Sequence, residues 1–307
     1  MQDDLVLALF GPTASGKTAV AEELVSRFPA ELISADSMQG YRGLPILTNQ
    51  PSSPTRLVGM WSLDHAGSVA EYQRLAHAAI DDALEGGKTP VVVGGTGLYL
   101  RAAVSAMELP PAPGSGERER WQRLYDNVGG KRAHELLAER DPAAAAAVHP
   151  NDRRRIVRAL ELTDAGRSLK RPADRLWGSD TRHPTLVFGL DLPRPELLRR
   201  IEERTDAMFA AGVRDEVAQA LAGPISATAR KALGLEEIAS LGDREAVEAI
   251  NLRTRRYAAY QRKWMRRIPG LVSVAADRPP GEVADEILEV VSARQRLPAR
   301  RGRAADG

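Results

Sequence analysis

The sequence predicts an α/β fold, a parallel sheet with helices on both faces and a helical insertion, and three observations carry that prediction. Short apolar runs alternate with segments of helical periodicity over the first 113 residues and again after about residue 176. The first apolar run leads without interruption into a glycine-rich loop, Gly11 to Thr18. Between these parts, residues 114–175 read as helices with no convincing strand.

Leu5 to Phe10 is wholly apolar, as expected of a strand buried on both faces, and Ala19 to Phe28 has helical spacing. Glu31 to Ala35 reads as a second strand and Ser68 to Glu85 as an amphipathic helix. Pro90 to Val93, bounded by Lys88, Thr89, Gly94 and Gly95, reads as a third strand. A proline-rich segment, Leu109 to Pro113, opens the insertion, in which Ala143 to Ala147 is most simply a helix core. Thr185 to Leu190 is a further strand, followed by a helix from about Pro195 to Ala211, and the last third is helical again. The expected organisation is therefore a core in two parts, 1–113 and 176–296, an insertion, 114–175, and a basic tail, 297–307, expected to be disordered.

Composition narrows the functional classes. With 307 residues, 43% of them hydrophobic and 27% charged, the chain has the makings of a full core and not of a disordered protein. The absence of cysteine excludes disulfides, thiolate zinc sites and thiol catalysis, and leaves any metal to oxygen or nitrogen ligands. The start, MQDDLVLALFGPT, places acidic residues before a short apolar run, unlike a signal peptide, and no apolar stretch approaches the roughly 20 residues that span a bilayer. A cytoplasmic protein with no membrane partner is expected. A net charge of +2 does not by itself announce a nucleic acid, but only six of the 43 basic residues are lysine. Arginine-based phosphate recognition and a GC-rich genome account for that bias equally well.

Gly11-Pro12-Thr13-Ala14-Ser15-Gly16-Lys17-Thr18 satisfies G-x-x-x-x-G-K-[ST] and lies between a predicted strand and a predicted helix. Such a P-loop wraps a phosphate in backbone N–H groups at a helix N-terminus; Lys17 adds a charge, and Thr18 offers a hydroxyl to Mg²⁺. The fold is thus expected to be P-loop NTPase-like, a framework shared by kinases, NTPases and other phosphate-handling enzymes. Asp36-Ser37 follows the second strand at the ligand-gathering edge of the sheet. Asp36 there would hold a metal through water, accept a proton from a nucleophile, or cap a turn. Gly94-Gly95-Thr96-Gly97 forms another strand-to-helix junction at that edge, either a ligand loop or a tight turn.

Two stretches are basic. His149 to Arg158 opens a helix with Asn151 or Asp152 as its cap and carries Arg153, Arg154, Arg155 and Arg158. Arg253 to Arg267 holds seven cations and no acid, interleaved with Tyr257, Tyr260 and Trp264. Phosphate contacts with base stacking, or a solvated face, both fit such runs.

Taken together, GPTASGKT, ELISADSMQ-x-YRG, VVVGGTGLYLR, DP-x₆-HPND-x₂-RI-x-RALE and the C-terminal TRR…QRKW resemble the bacterial tRNA dimethylallyltransferases, or tRNA isopentenyltransferases, in order from about Leu7 to Arg267. The resemblance implies transfer of a dimethylallyl group from dimethylallyl diphosphate to N6 of the adenosine 3′ of the anticodon, with tRNA, recognised at its anticodon stem-loop, as partner and Mg²⁺ as cofactor. It implies that Gly11 to Thr18 holds a diphosphate and that Asp36 is the general base, with Lys17, Thr18 and Arg230 completing the catalytic group and Thr18 the metal ligand. Thr96 and Arg118 match positions that contact the substrate RNA and Arg155 and Arg158 match the insertion's RNA-facing helix; Asp36, Ser37, Met38, Gln39, Arg154, Arg255 and Arg262 complete the expected tRNA-binding set. A single chain in solution is the expected state. The chain departs from the family pattern at Leu44 to Gln50, where Gln50 replaces a lysine, at Met60 to Ser62, at Gly234 to Glu237 and at Ala259 to Arg266. A prenyltransferase acting on free adenine nucleotides, an ATP-using small-metabolite kinase and a non-enzymatic RNA-binding module are the competing readings. The helical insertion argues against the first, and Lys17, Thr18 and Asp36 together against the last.

Overall fold

A computed structural model describes residues 4–109, 116–169, 178 and 180–296. The chain divides into two compact units, one built from 1–107 and 176–307 and the other from 108–175. The proline-rich segment beyond Leu109, the end of the insertion and the basic tail, 297–307, lie outside the described residues.

The first unit is built on a six-stranded, all-parallel sheet. Its strands are β1 (Val6–Phe10), β2 (Ala30–Ser34), β3 (Thr55–Arg56), β4 (Thr89–Gly94), β5 (Thr185–Asp191) and β6 (Val272–Ala275), in the order β3-β2-β4-β1-β5-β6. Every residue of β1 is buried, which explains its unbroken apolar run: a central parallel strand is covered on both faces. The helices α1 (Lys17–Val25), α2 (Pro45–Thr48), α3 (Val69–Glu85) and α4 (Gly97–Val104) follow the first strands. On one face Leu5, Leu7 and Leu9 pack with Val20, Ala21 and Leu24 of α1 and with Ile287 and Val291 near the C-terminus. Ser68 caps α3 by accepting the Glu71 amide at 3.2 Å.

In the second unit α5 (Glu117–Arg140), broken by non-helical backbone at Gly129, and the short α6 (Pro142–Ala145) pack with α7 (Arg153–Asp164). Trp121, Leu137, Val148, Ile156 and Leu160 form its core. Of the two candidate caps, Asp152 holds the start of α7, accepting the Arg155 amide at 3.1 Å. The first unit resumes after β5 with α8 (Arg194–Ala210), α9 (Val213–Leu221), α10 (Leu235–Ser240) and α11 (Asp243–Met265), and closes with α12 (Pro280–Arg296). Leu44 and Leu47 join Val213, Val217, Leu235, Ile238 and Ile250 in a separate core cluster.

Three expectations need correction. The last third is not wholly helical: β6 lies within it, an edge strand whose burial alternates and whose four residues, Val-Ser-Val-Ala, are too short to register as a pattern. The two-residue β3 escaped notice for the same reason. The first helix begins at Lys17 and ends at Val25, earlier at both ends than its apolar spacing indicates, because left-handed Gly16 starts it directly.

Candidate phosphate-binding site

β1 delivers the chain to Gly11, where a turn closes with Ser15 N donating to Pro12 O at 3.2 Å. Ala14 (φ 62°) and Gly16 (φ 86°) both take the left-handed region, which folds the loop back over the start of α1. No side chain caps α1, so the amides of its first turn remain open to an acceptor in the loop. The Ser15 hydroxyl is buried beside them without a hydrogen-bond partner among the described residues. Lys17 Nζ donates to Pro12 O at 2.7 Å. Burial pushes its ammonium down to about 8; the Asp36 charge opposes this shift and the Arg204 charge adds to it. Thr18 lines a cavity of about 20 Å³ with Ser34, Gln39 and Val93.

The β2 and β4 loops converge beside the P-loop. Asp36 Oδ1 accepts the Met38 amide at 2.9 Å, and the Asp36 amide donates to Ser34 Oγ at 3.3 Å. The Ser37 amide donates to Thr96 Oγ1 at 3.4 Å, and Thr96 Oγ1 lies 3.5 Å from the Tyr257 hydroxyl. Burial, and after it the Asp36 charge, push the Tyr257 phenol up to about 12. Tyr72 and Tyr99, with ring centroids 4.4 Å apart, are likewise raised, first by burial. The Asp36 charge therefore acts on Tyr72, Tyr99 and Tyr257 and on Lys17 and Arg204 alike.

Two residues hold this arrangement: Gln261, which opens the QRKW stretch but for which the sequence suggests no role, and Arg204, which the sequence does not single out. Gln261, only 2% exposed, accepts the Thr13 amide at 2.8 Å and donates to Gly95 O at 2.9 Å, tying the P-loop to the β4 loop. Its amide fills the space a side chain at Gly95 would need, which gives that glycine a packing role. Arg204 donates to the Thr13 hydroxyl. Arg230, by contrast, pairs with Glu236 at 3.1 Å, and among the described residues no hydrogen bond links it to the loop.

The remaining candidates sort by what they already bind. Gln39 accepts from Ser34 Oγ at 2.9 Å and donates to Asn49 O at 2.8 Å, and Met38 packs against the Leu44 and Leu47 cluster. In the second unit Arg118 and Arg158 both pair with Glu161, which is 3% exposed, whereas Arg154 and Arg155 are exposed and make no ion pair among the described residues. The basic run Arg253 to Arg267 is acid-free only in sequence. Arg253 pairs with Glu237, Arg255 with Glu202 and Arg262 with Asp191. Arg256 and Lys263 stay exposed without such partners among the described residues, and Tyr260, 54% exposed, lies between them on the same helix face. Gln50 donates to Tyr41 O at 2.7 Å and Gln39 O at 3.2 Å, so where the family carries a lysine this chain has a loop brace.

A parallel sheet whose central strand passes through a left-handed, glycine-turned loop into a helix, with a carboxylate beyond β2, two strands away in the sheet, defines a P-loop α/β protein. The IPP transferase family model matches residues 39–268, and the chain belongs to that family. It is 36% identical over 300 residues to the tRNA dimethylallyltransferase of Corynebacterium jeikeium, covering 93% of this chain and 96% of that one. It is 40% identical over 277 residues to that of Desulforudis audaxviator, covering 85% and 89%. The full-length tRNA isopentenylpyrophosphate transferase of Bacillus halodurans superposes with a TM-score of 0.69 at 30% identity, over 95% of this chain and 97% of that one. A eukaryotic dimethylallyltransferase acting on tRNA shares the fold, with a TM-score of 0.77 at 23% identity over 98% and 82%. No helix among the described residues is long and apolar enough to cross a membrane.

Proposed function

We propose that this prenyltransferase moves the dimethylallyl group of dimethylallyl diphosphate onto N6 of the adenosine 3′ of the anticodon in tRNA. The observation that carries the reading is the Asp36 carboxylate, set within electrostatic reach of the P-loop lysine just beyond β2, two strands from β1 in the sheet. That arrangement puts a base on one side of a reacting carbon and an anion cradle on the other. In the reaction the N6 lone pair attacks C1 of the allyl group, the C1–O bond breaks, and its electron pair leaves with pyrophosphate. The loop amides and Lys17 stabilise the growing charge on the leaving oxygen. Asp36 accepts the proton that N6 sheds: Oδ1 is occupied by the Met38 amide, which leaves Oδ2 for the transfer. The adenine must be extruded from its stack to reach the carboxylate, at a cost of a few kcal/mol. Tyr257, part-buried beside Thr96 and within reach of the Asp36 charge, offers it aromatic surface.

Mg²⁺ suits the donors present. The Thr18 hydroxyl, the metal ligand of this reading, is a hard oxygen donor of the kind magnesium favours. The ion would take its remaining oxygens from water and diphosphate. When bound, it supplies positive charge to the departing pyrophosphate. Arg230 belongs to the same group in this reading, on condition that it leaves Glu236. One chain carries the loop, the base and the RNA-facing cations, so the reading requires only a monomer.

The purified protein, incubated with tRNA, dimethylallyl diphosphate and Mg²⁺, is expected to convert one adenosine per substrate tRNA to its dimethylallyl form, read by mass spectrometry of the nucleosides. Unmodified tRNA together with ATP-dependent phosphorylation of a small metabolite would replace this reading with a kinase. Equal prenylation of free adenine nucleotides would remove tRNA as the substrate.

The expected RNA contacts, taken in each unit by itself, follow from the exposed cations that make no ion pair among the described residues. Arg256 and Lys263 flank Tyr260, while Arg154 and Arg155 are exposed on α7. Arg255 and Arg262 contribute less to RNA binding because their acids already compensate them. Replacing Arg256 and Lys263 by glutamine is expected to weaken tRNA binding and to reduce the slope of log affinity against log salt by about 0.7–0.9 per lost contact. The pair Arg255→Gln and Arg262→Gln should change it less, and an unchanged slope in both pairs would make the helix a solvated face.

A further inference from the structure

The aromatic side chains of α11 form a file that leads from the β4 loop to the surface. Tyr257 lies against Thr96, its hydroxyl 3.5 Å from Thr96 Oγ1. The Trp264 ring rests on the next residue: a side chain at Gly97, where α4 begins, would stand 2.2 Å from it. Tyr260 meets Trp264 edge-on, with ring centroids 6.5 Å apart at 73°, and is 54% exposed. Aromatic rings elsewhere in the chain are already covered by arginine. Arg120 and Arg140 lie over Trp121 at 4.9 and 5.0 Å, and Arg153 over Tyr125 at 5.9 Å. Among the described residues no cation lies over Tyr260, although Arg256 and Lys263 stand one turn to either side of it, exposed and without ion pairs.

Extruding one nucleotide from a stacked RNA loop bares the faces of the bases that lay against it, and those faces favour a flat apolar partner. A single strand alternates phosphate and base, and Arg256, Tyr260 and Lys263 offer cation, ring and cation in that order along one helix face. We infer that Tyr260 is a base-stacking residue of this enzyme, its ring taking the face of an unpaired base beside the acceptor adenosine while Trp264 behind it fixes the ring relative to the β4 loop. This rests on the reading that tRNA is the acceptor substrate. Every base has a π-face, so the stack adds affinity and register without choosing a sequence. Tyr260 belongs to the stretch Ala259 to Arg266, where the chain departs from the family pattern. A protein partner covering the same ring makes a different prediction, because removing the ring would then leave RNA affinity untouched.

Binding of an anticodon stem-loop RNA, followed by fluorescence anisotropy across a salt series, separates the two. Tyr260→Ala is expected to weaken it about fivefold to 150-fold, the worth of one base stacked on an aromatic ring, with Tyr260→Phe within twofold of the parent. Tyr260→Leu keeps bulk against Trp264 but has no flat face, and should fall with Tyr260→Ala. The salt slope should hold in all three, because a stacked base releases no counterion, in contrast to the Arg256 and Lys263 pair. In turnover the KM for tRNA should rise in step with the lost affinity while kcat and the KM for dimethylallyl diphosphate hold. A direct signal comes from 2-aminopurine placed immediately 5′ or 3′ of the acceptor adenosine: in one of the two RNAs its emission should stay quenched on the parent and on Tyr260→Phe, and rise on Tyr260→Ala. Losses in Tyr260→Phe equal to those in Tyr260→Ala would overturn the assignment, as would RNA affinity within twofold of the parent in Tyr260→Ala, which would leave the ring to a protein partner. A parent protein that binds no RNA would instead sink the tRNA reading itself, and the assignment with it.

Discussion

Asp36→Asn is expected to slow the chemical step by about 10²–10⁴-fold, the usual worth of a positioned base, and to leave dimethylallyl diphosphate affinity within a few-fold of the parent. The substitution keeps the shape of the side chain and the acceptor that Asp36 Oδ1 offers to the Met38 amide at 2.9 Å, so the turn after β2 survives. It removes the second oxygen's basicity, which matters only as N6 becomes positive in the transition state. One secondary effect has a known sign: the Asp36 charge raises the Lys17 pKa against burial, so its loss moves Lys17 toward the neutral form and weakens diphosphate binding at alkaline pH. Single-turnover rates near neutral pH therefore isolate the base. A rate within a few-fold of the parent would return Asp36 to a turn-capping role.

The local parts of the fold and the site were legible because their causes are local. A buried parallel strand writes a continuous apolar run, Gly16 writes the left-handed start of α1, and Asp152 caps α7 three residues from the amide it accepts. What could not be read were connections between distant segments. Gln261 looks like one polar residue among many on α11, yet its partners are Thr13 and Gly95, and nothing in its sequence neighbourhood encodes them. The same holds for Arg204, whose periodicity on α8 matches that of arginines bound to nearby glutamates. Charge reading failed for that reason too: Glu202, Glu237 and Asp191 cross from other segments to neutralise part of a run that contains no acid of its own. β6, with a single buried residue, had no apolar pattern to offer.

Lys17→Ala is expected to lower kcat/KM for dimethylallyl diphosphate by about 10³-fold or more, combining a lost charged hydrogen bond to the bound anion with lost stabilisation of the leaving oxygen. The parent should reveal the lysine through pH before any mutation is made. In the free protein burial holds the Lys17 ammonium near 8, with Asp36 and Arg204 the charges facing it. A bound diphosphate favours the charged form and raises that pKa, so binding takes up a proton wherever free Lys17 is neutral. Affinity for pyrophosphate is then full below a pH of about 8 and falls by up to tenfold per pH unit above it, until the raised pKa of the complex is reached. Calorimetry in two alkaline buffers of different ionisation enthalpy counts the proton directly. Lys17→Ala should flatten the profile and abolish the uptake. A parent whose pyrophosphate affinity stays constant from about pH 7 to about pH 10 would mean that Lys17 does not meet the anion, and that its bond to Pro12 O only braces the loop.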